Sequence, residues 1–196
     1  MSTTSVREML LRAERYNATV TIWTVGHSTR AAEQFVNLLA VYEIRLLVDI
    51  RTVPRSRRNP QFNVDELPAL LSEAGIAHCH MADLGGLRHP TKHSINTGWQ
   101  NESFRGYADY MQTESFGRAV EELIRVAEPQ RTVIMCAEVV PWRCHRSLVA
   151  DALTARGVEV IHIVSETTAK RHTLTPFARI DGMNVTYPGF PLPLAE

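Results

Sequence analysis

Five short apolar runs alternate along the chain with segments whose apolar positions recur at helical spacing. Thr21-Ile22-Trp23-Thr24-Val25 reads as a buried strand ending in Gly26-His27-Ser28-Thr29-Arg30. Ser28 or Thr29 is expected to cap a helix carrying Phe35, Leu38, Leu39 and Tyr42 on one side. Leu46 to Ile50 predicts a second strand, followed by a basic loop. Asn63 with Glu66 three places later resembles a capping box. It predicts a helix through Leu67, Leu70 and Leu71, with Pro68 early in it and Gly75 at its end. Ile76 to Met81 is the third strand. Gly85 to Gly106 shows no regular pattern, and a loop that long inside a compact domain is usually functional or disordered. Phe104, Tyr107, Ala108 and Met111 return to helical spacing, and Phe116 through Val120, Leu123 and Ile124 to Val126 predicts a further helix. Thr132 to Met135 is the fourth strand. Pro141 to Arg156 predicts a helix with Pro at its start and Gly157 after it, and Val158 to Val164 the fifth strand.

Strands alternating with helices predict an α/β fold, a three-layer sandwich whose mostly parallel sheet of about five strands is flanked by helices. The length, 196 residues, suits a single domain. Residues 1–20 read as an N-terminal extension or helix and 21–164 as the α/β core. Residues 165–196, with Pro176, Pro188, Gly189, Pro191 and Pro193, read as an irregular segment with one edge strand around Asn184 to Tyr187.

Charge changes this picture little in total and much in distribution. Twenty-one Lys and Arg balance 21 Asp and Glu, which argues against a surface coated in positive charge and leaves room for a local basic cleft. Cys79, Cys136 and Cys144 are an odd number, so no disulfide framework is implied and a reducing cytoplasm fits best. Arg7, Arg12, Glu14 and Arg15 interrupt the first twenty residues, so neither a signal peptide nor a membrane partner is expected. Oligomeric state stays open.

In open parallel sheets the ligand crevice lies beyond the carboxyl ends of the strands. There the chain places Arg51, Arg55, Arg57 and Arg58 after the second strand and Gly85, Gly86 and Arg88 after the third. Glu138, Arg143, His145 and Arg146 follow the fourth, and Glu166, Lys170, Arg171 and His172 the fifth. The loops of the opposite edge are mixed in charge. The asymmetry predicts an anion-binding cleft, because guanidinium groups hold phosphate or carboxylate through paired hydrogen bonds. Its ligand would be a phosphate-containing, nucleotide-like small molecule or a nucleic acid. Some of these arginines would instead pair with Asp49, Asp83 or Glu138 or lie in solvent. His27 and Glu138 are candidates for moving protons, and Gly26, Ser28, Asp49, Gly85, Gly86 and His145 for shaping the seat. Trp99 is the first candidate for stacking on a ring and Trp142 the second.

Cys136, at a strand end with Arg143 at the next helix start, has the layout of thiolate chemistry on phosphorus or sulfur. Six residues intervene rather than five, none is glycine, and Glu138 adds negative charge. A nucleophile and a packed strand-end thiol both remain open. Cys144 and His145, adjacent in the first helical turn, are expected to point about 100° apart, a poor nucleophile–base pair. Cys136, Cys144, His145, His27 and His80 show no CxxC or HxxxH spacing, so no metal site is expected. No particular cofactor is indicated.

Five stretches, TVGHSTR, LLVDIRTVPRSRRNPQFN, LGGLR, NESFRGYADYM and CAEVVPWRCHRSLVADAL, closely resemble the bacterial and archaeal family called domain of unknown function 488. The resemblance runs from about Thr21 to Val164. It maps onto Gly26, His27, Ser28, Asp49, Arg51, Arg57, Gly85, Gly86, Cys136, Glu138, Cys144, His145 and Arg146, and onto Pro54, Ser56, Phe62, Asn63, Leu84, Phe104, Tyr107 and Met111. The family carries no established reaction, so the resemblance implies the fold and the site but not the chemistry. Three functions follow: an enzyme on a phosphorylated ligand, a non-catalytic nucleic-acid-binding module, or cysteine-dependent sulfur or phosphoryl transfer.

Overall fold

All five apolar runs pair as parallel strands in the computed structural model, which describes residues 20–189. The strands are β1 (Thr21–Gly26), β2 (Leu46–Asp49), β3 (Ala77–His80), β4 (Thr132–Cys136) and β5 (Glu159–Ser165), with β6 (Thr168–Arg171) antiparallel at one edge. Their order is β3-β2-β4-β1-β5-β6. Both faces are covered, as the apolar runs require. On one face α1 (Ala32–Val41) and α2 (Leu67–Glu73) bury Phe35, Leu39, Leu67 and Leu71 against Val25, Leu47, Val133 and Met135. On the other, α3 (Glu102–Tyr110), α4 (Glu114–Ala127) and α5 (Arg146–Thr154) pack on Ile22, Val48 and Ile134. Each fully buried Leu or Phe contributes about 1.5–3 kcal/mol. The three-layer α/β sandwich is therefore the fold. Among the described residues no helix is long and apolar enough to cross a membrane.

Five local expectations are corrected. Neither Ser28 nor Thr29 caps α1; Ser28 sits at φ 55°, and the Ala31 N–H donates to Gln34 Oε1 at 3.2 Å. Asn63 forms no capping box: its carbonyl feeds the turn before α2, while its Oδ1 accepts from the Ser56 N–H at 2.6 Å and pins the basic loop. The long loop ends earlier than its polarity suggested. Asn101 Oδ1 caps α3 through Ser103 and Phe104, and buried Asp109 orders the loop by accepting from Thr91, Ser94 and Asn96.

Most consequential is the segment after β4. It is a 3-10 turn at Pro141–Arg143, then extended Cys144 (φ −139°, ψ 145°), and only then α5. The tail is also more regular than expected. Besides β6, it forms a separate hairpin, β7 (Arg179–Asp181) with β8 (Asn184–Thr186), turning at Gly182 with φ 58°. Asn184 to Thr186 therefore belongs to that hairpin and not to the edge of the main sheet. The expected extension through residue 19 and residues 190–196 lie outside the described residues.

Candidate functional site

The ends of β1 and β4 run side by side beyond the last ladder pair. His27 donates its N–H to the Cys136 carbonyl at 3.0 Å, and Ser28 donates to Ala137 at 2.9 Å. The close approach requires glycine at position 26, where a Cβ would overlap the Glu138 carbonyl. That carbonyl and the next have a second use. Arg146, wholly buried in the first turn of α5, donates from Nη2 to Glu138 O at 3.2 Å and to Val139 O at 3.1 Å. Its Nε and Nη1 have no hydrogen-bond partner, and no carboxylate pairs with it among the described residues. A buried, unpaired guanidinium is costly unless a negative charge faces it.

The groups that act most on the Arg146 guanidinium, after burial, are the thiols of Cys144 and Cys136. The extended backbone at Cys144 turns its thiol back toward Cys136, and His145 swings across to β2. His145 Nε2 lies 3.1 Å from the Ile50 carbonyl, which can only accept. Nε2 therefore donates, and Nδ1 is left facing the two sulfurs. That Nδ1 is 3.7 Å from Cys144 Sγ and 4.0 Å from Cys136 Sγ. Tyr107 walls the ring, 5.1 Å between centroids, and is fixed by its own hydroxyl donating to Leu84 O at 2.7 Å.

The neighbouring Cys144 thiol pulls the Cys136 pKa well below the ordinary thiol range, with help from His145 and Arg146 against the opposing effect of burial. Cys144 is pushed far up, first by its interaction with Cys136 and then by burial. The two thiols therefore titrate as a pair, Cys136 the more acidic of the two and Cys144 the less. Cys79, on β3, is raised by burial and has no part in this cluster.

The sequence reasoning singled out Cys136, His145 and Arg146, which meet here. Cys144, which the family resemblance includes, has no role assigned from the sequence, where helical spacing predicts that it diverges from His145. The break before α5 overturns that expectation by removing the shared helical turn. For Tyr107 the helical spacing points to core packing ahead of any role at the site.

Other candidates have different tasks. Arg51 is buried and bound to Asp49, with Nη2 to Oδ2 at 2.6 Å and Nε to Oδ1 at 2.9 Å, and it also donates to Phe62 O. This closed pair is an internal strut. His27 is buried and stacked on Phe62, its centroid 4.2 Å away. Nδ1 donates to Ser28 O at 2.7 Å and Nε2 accepts from Arg51 at 3.2 Å, so both nitrogens are engaged and burial keeps the ring neutral.

Arg55 pairs with Asp65 in solvent at 3.2 Å. Arg57, Arg58 and Arg143 are exposed without ion pairs among the described residues, as is the Glu138 carboxylate. Arg88 lies over the Tyr110 ring, 3.8 Å from its centroid. Gly85 and Gly86 make room for protein rather than ligand: a Cβ at Gly86 would meet His145 Nδ1 at 3.0 Å, and one at Gly85 would meet Thr52. Trp99 is packed among Phe104, Phe177 and Tyr187, so its ring is not free to stack on a ligand; Trp142 is 70% exposed.

Among the described residues, Cys136, Cys144 and His145 place ligand-type atoms within 4.8 Å of one another. The buried charge of Arg146 beside them disfavours a cation and favours an anion or a thiolate. Elsewhere, buried His162 bridges two partners. Its Nδ1 is 2.7 Å from Thr24 Oγ1 and its Nε2 is 2.9 Å from His172, which in turn reaches Asp151 at 2.8 Å. A recess of about 400 Å³ lies at the opposite sheet edge, lined by Trp23, Gln130, Arg131 and Glu159, away from this chemistry.

The family model described as domain of unknown function DUF488 matches residues 31–153, more than half of the chain. No curated protein and no solved structure matches.

Proposed function

The chain belongs to the family described as domain of unknown function DUF488, a membership that carries no reaction; from the site itself we propose a thiol-dependent enzyme in which the Cys136 thiolate attacks an anionic substrate. One observation carries the reading: the buried guanidinium of Arg146, with no carboxylate partner among the described residues, beside a cysteine whose thiol is strongly acidified. The charge stabilises the thiolate before attack and the anionic group during it. Cys136 is buried, with 7% of its surface exposed. A cleft floored by many arginines fits less well, because Asp49 occupies Arg51 and Asp65 occupies Arg55. Arg57, Arg58 and Arg143 remain exposed for long-range attraction of an anion.

Alkylation tests the proposal. Iodoacetate should label Cys136 ahead of Cys79 at mildly acidic pH. Relative to a free thiol, Cys136 should also prefer iodoacetate over neutral iodoacetamide. Labelling of Cys79 first, or no preference for the anionic reagent, refutes it. A second reading, a nucleic-acid partner at the rim, is favoured by exposed Trp142 beside exposed Arg143. Quenching of Trp142 fluorescence by a single-stranded oligonucleotide, weakening steeply with salt, is the expected result; no quenching excludes it.

A further inference from the structure

A single nucleophilic thiol needs an activating charge and a base, and Arg146 and His145 supply both. The second cysteine exceeds that need. Cys144 is 4% exposed, and its sulfur is brought back to Cys136 by an extended residue that interrupts what would otherwise be one helix. The two sulfurs and His145 Nδ1 lie within 4.8 Å of one another. The imidazole is held by Ile50 with its other nitrogen, Nδ1, 3.7 Å from Cys144.

Building on the reading of Cys136 as the attacking thiolate, we propose that Cys144 is the resolving thiol of a dithiol site. The anionic substrate is then a disulfide, attacked at sulfur and not at phosphorus.

The steps balance as a two-electron exchange. Cys136 S⁻ attacks one sulfur of R–S–S–R, forming Cys136–S–S–R and expelling R–S⁻ with the bonding pair. Cys144 then gives its proton to His145 Nδ1 and attacks Cys136 Sγ. The Cys136–Cys144 disulfide forms, and the second R–S⁻ leaves, taking up the proton from His145. The substrate is reduced by two electrons and the dithiol oxidised by two; a thiol reductant from solution restores it.

The order of attack is set by charge. While Cys136 is a thiolate, it holds the Cys144 proton in place. Once Cys136 is bonded to sulfur that charge is gone, and Arg146 faces Cys144 alone. A phosphoryl group on Cys136 would be released to water, which leaves a second buried thiol without a task.

Oxidised glutathione, a disulfide bearing carboxylates, is the probe, applied to the reduced full chain and read by intact mass and peptide mapping. Wild type should lose two hydrogens, carry no glutathione, and yield a linked Cys136–Cys144 peptide. Cys144→Ser and Cys144→Ala should stop with one glutathionyl group on Cys136, and Cys136→Ser should leave Cys144 untouched. The wild-type mass alone decides the matter if a variant fails to fold.

A stable glutathionyl adduct on wild-type Cys136 overturns the dithiol inference and leaves the thiolate reading standing. So does a Cys136 labelled by iodoacetate yet inert to the disulfide. A Cys136 inert to both overturns both. Disulfide formation only after treatment with a chelator also overturns the inference, since the sulfurs would then be holding a metal.

Discussion

Replacing Cys144 by Ala removes the largest single stabiliser of the Cys136 thiolate, and the consequence can be worked out. A hydrogen bond to a charged group contributes about 1.5–3 kcal/mol, and S–H, a weak donor, belongs at the low end. Since one pKa unit corresponds to about 1.4 kcal/mol, the Cys136 pKa should rise by about one unit in Cys144→Ala. Below the pKa the thiolate fraction then falls about tenfold. A more basic thiolate is intrinsically more nucleophilic, with a Brønsted slope of about 0.4–0.5, so the alkylation rate should fall only about three- to fourfold. Removal of one buried heavy atom costs stability of about 1 kcal/mol, too little to unfold a domain of this size. The assay is the rate of iodoacetamide labelling of Cys136, read by peptide mass in a Cys79→Ser background from mildly acidic to mildly basic pH. The midpoint should move up. An unmoved midpoint means that Arg146 and His145 acidify Cys136 without Cys144. A downward shift means that burial by the Cys144 side chain outweighs its hydrogen bond. Either result refutes the paired titration.

Two further outcomes follow from the neighbouring structure. Gly26→Ala drives a Cβ into the Glu138 carbonyl and so displaces both carbonyls that hold Arg146; a loss of several kcal/mol, within the range for severe backbone conflicts, should appear as a large drop in melting temperature. His162, lowered to about 3 first by burial and then by His172, stays neutral in the fold while the unfolded chain binds a proton below its ordinary value of 6.5. Stability should therefore decline as pH falls from 6.5 toward about 3, and His162→Gln should flatten that slope in thermal melts at successive pH values; an unchanged slope would assign the acid sensitivity to other groups.

The layers were legible because they rest on apolar periodicity. Runs such as Leu46 to Ile50 and Thr132 to Met135 are apolar on both faces, and only a sheet covered twice satisfies them. Strand β6, Thr168 to Arg171, was not legible: at an edge, with mostly exposed side chains, it carries no apolar signal to read. One partner choice could have been anticipated. Asp49 and Arg51 are two apart at a strand end, where alternate residues share a face, so their pairing had a local signal and the exposed arginines had none.

Cys144 is the opposite case. From Pro141 to Arg156 the spacing, the early proline and the following Gly157 all agree on one continuous helix. The chain breaks it with an extended residue whose cost is met by contacts distant in sequence: Ile50 holds His145, Tyr107 backs its ring, and the Cys144 sulfur comes within 4.8 Å of Cys136. Where local preference loses to such a set of contacts, the contacts usually serve a function. A continuous helix would have directed Cys144 and His145 about 100° apart and left Arg146 facing a single sulfur. The departure from local propensity is thus the feature that converts a strand-end cysteine into a paired, charged and base-equipped thiol.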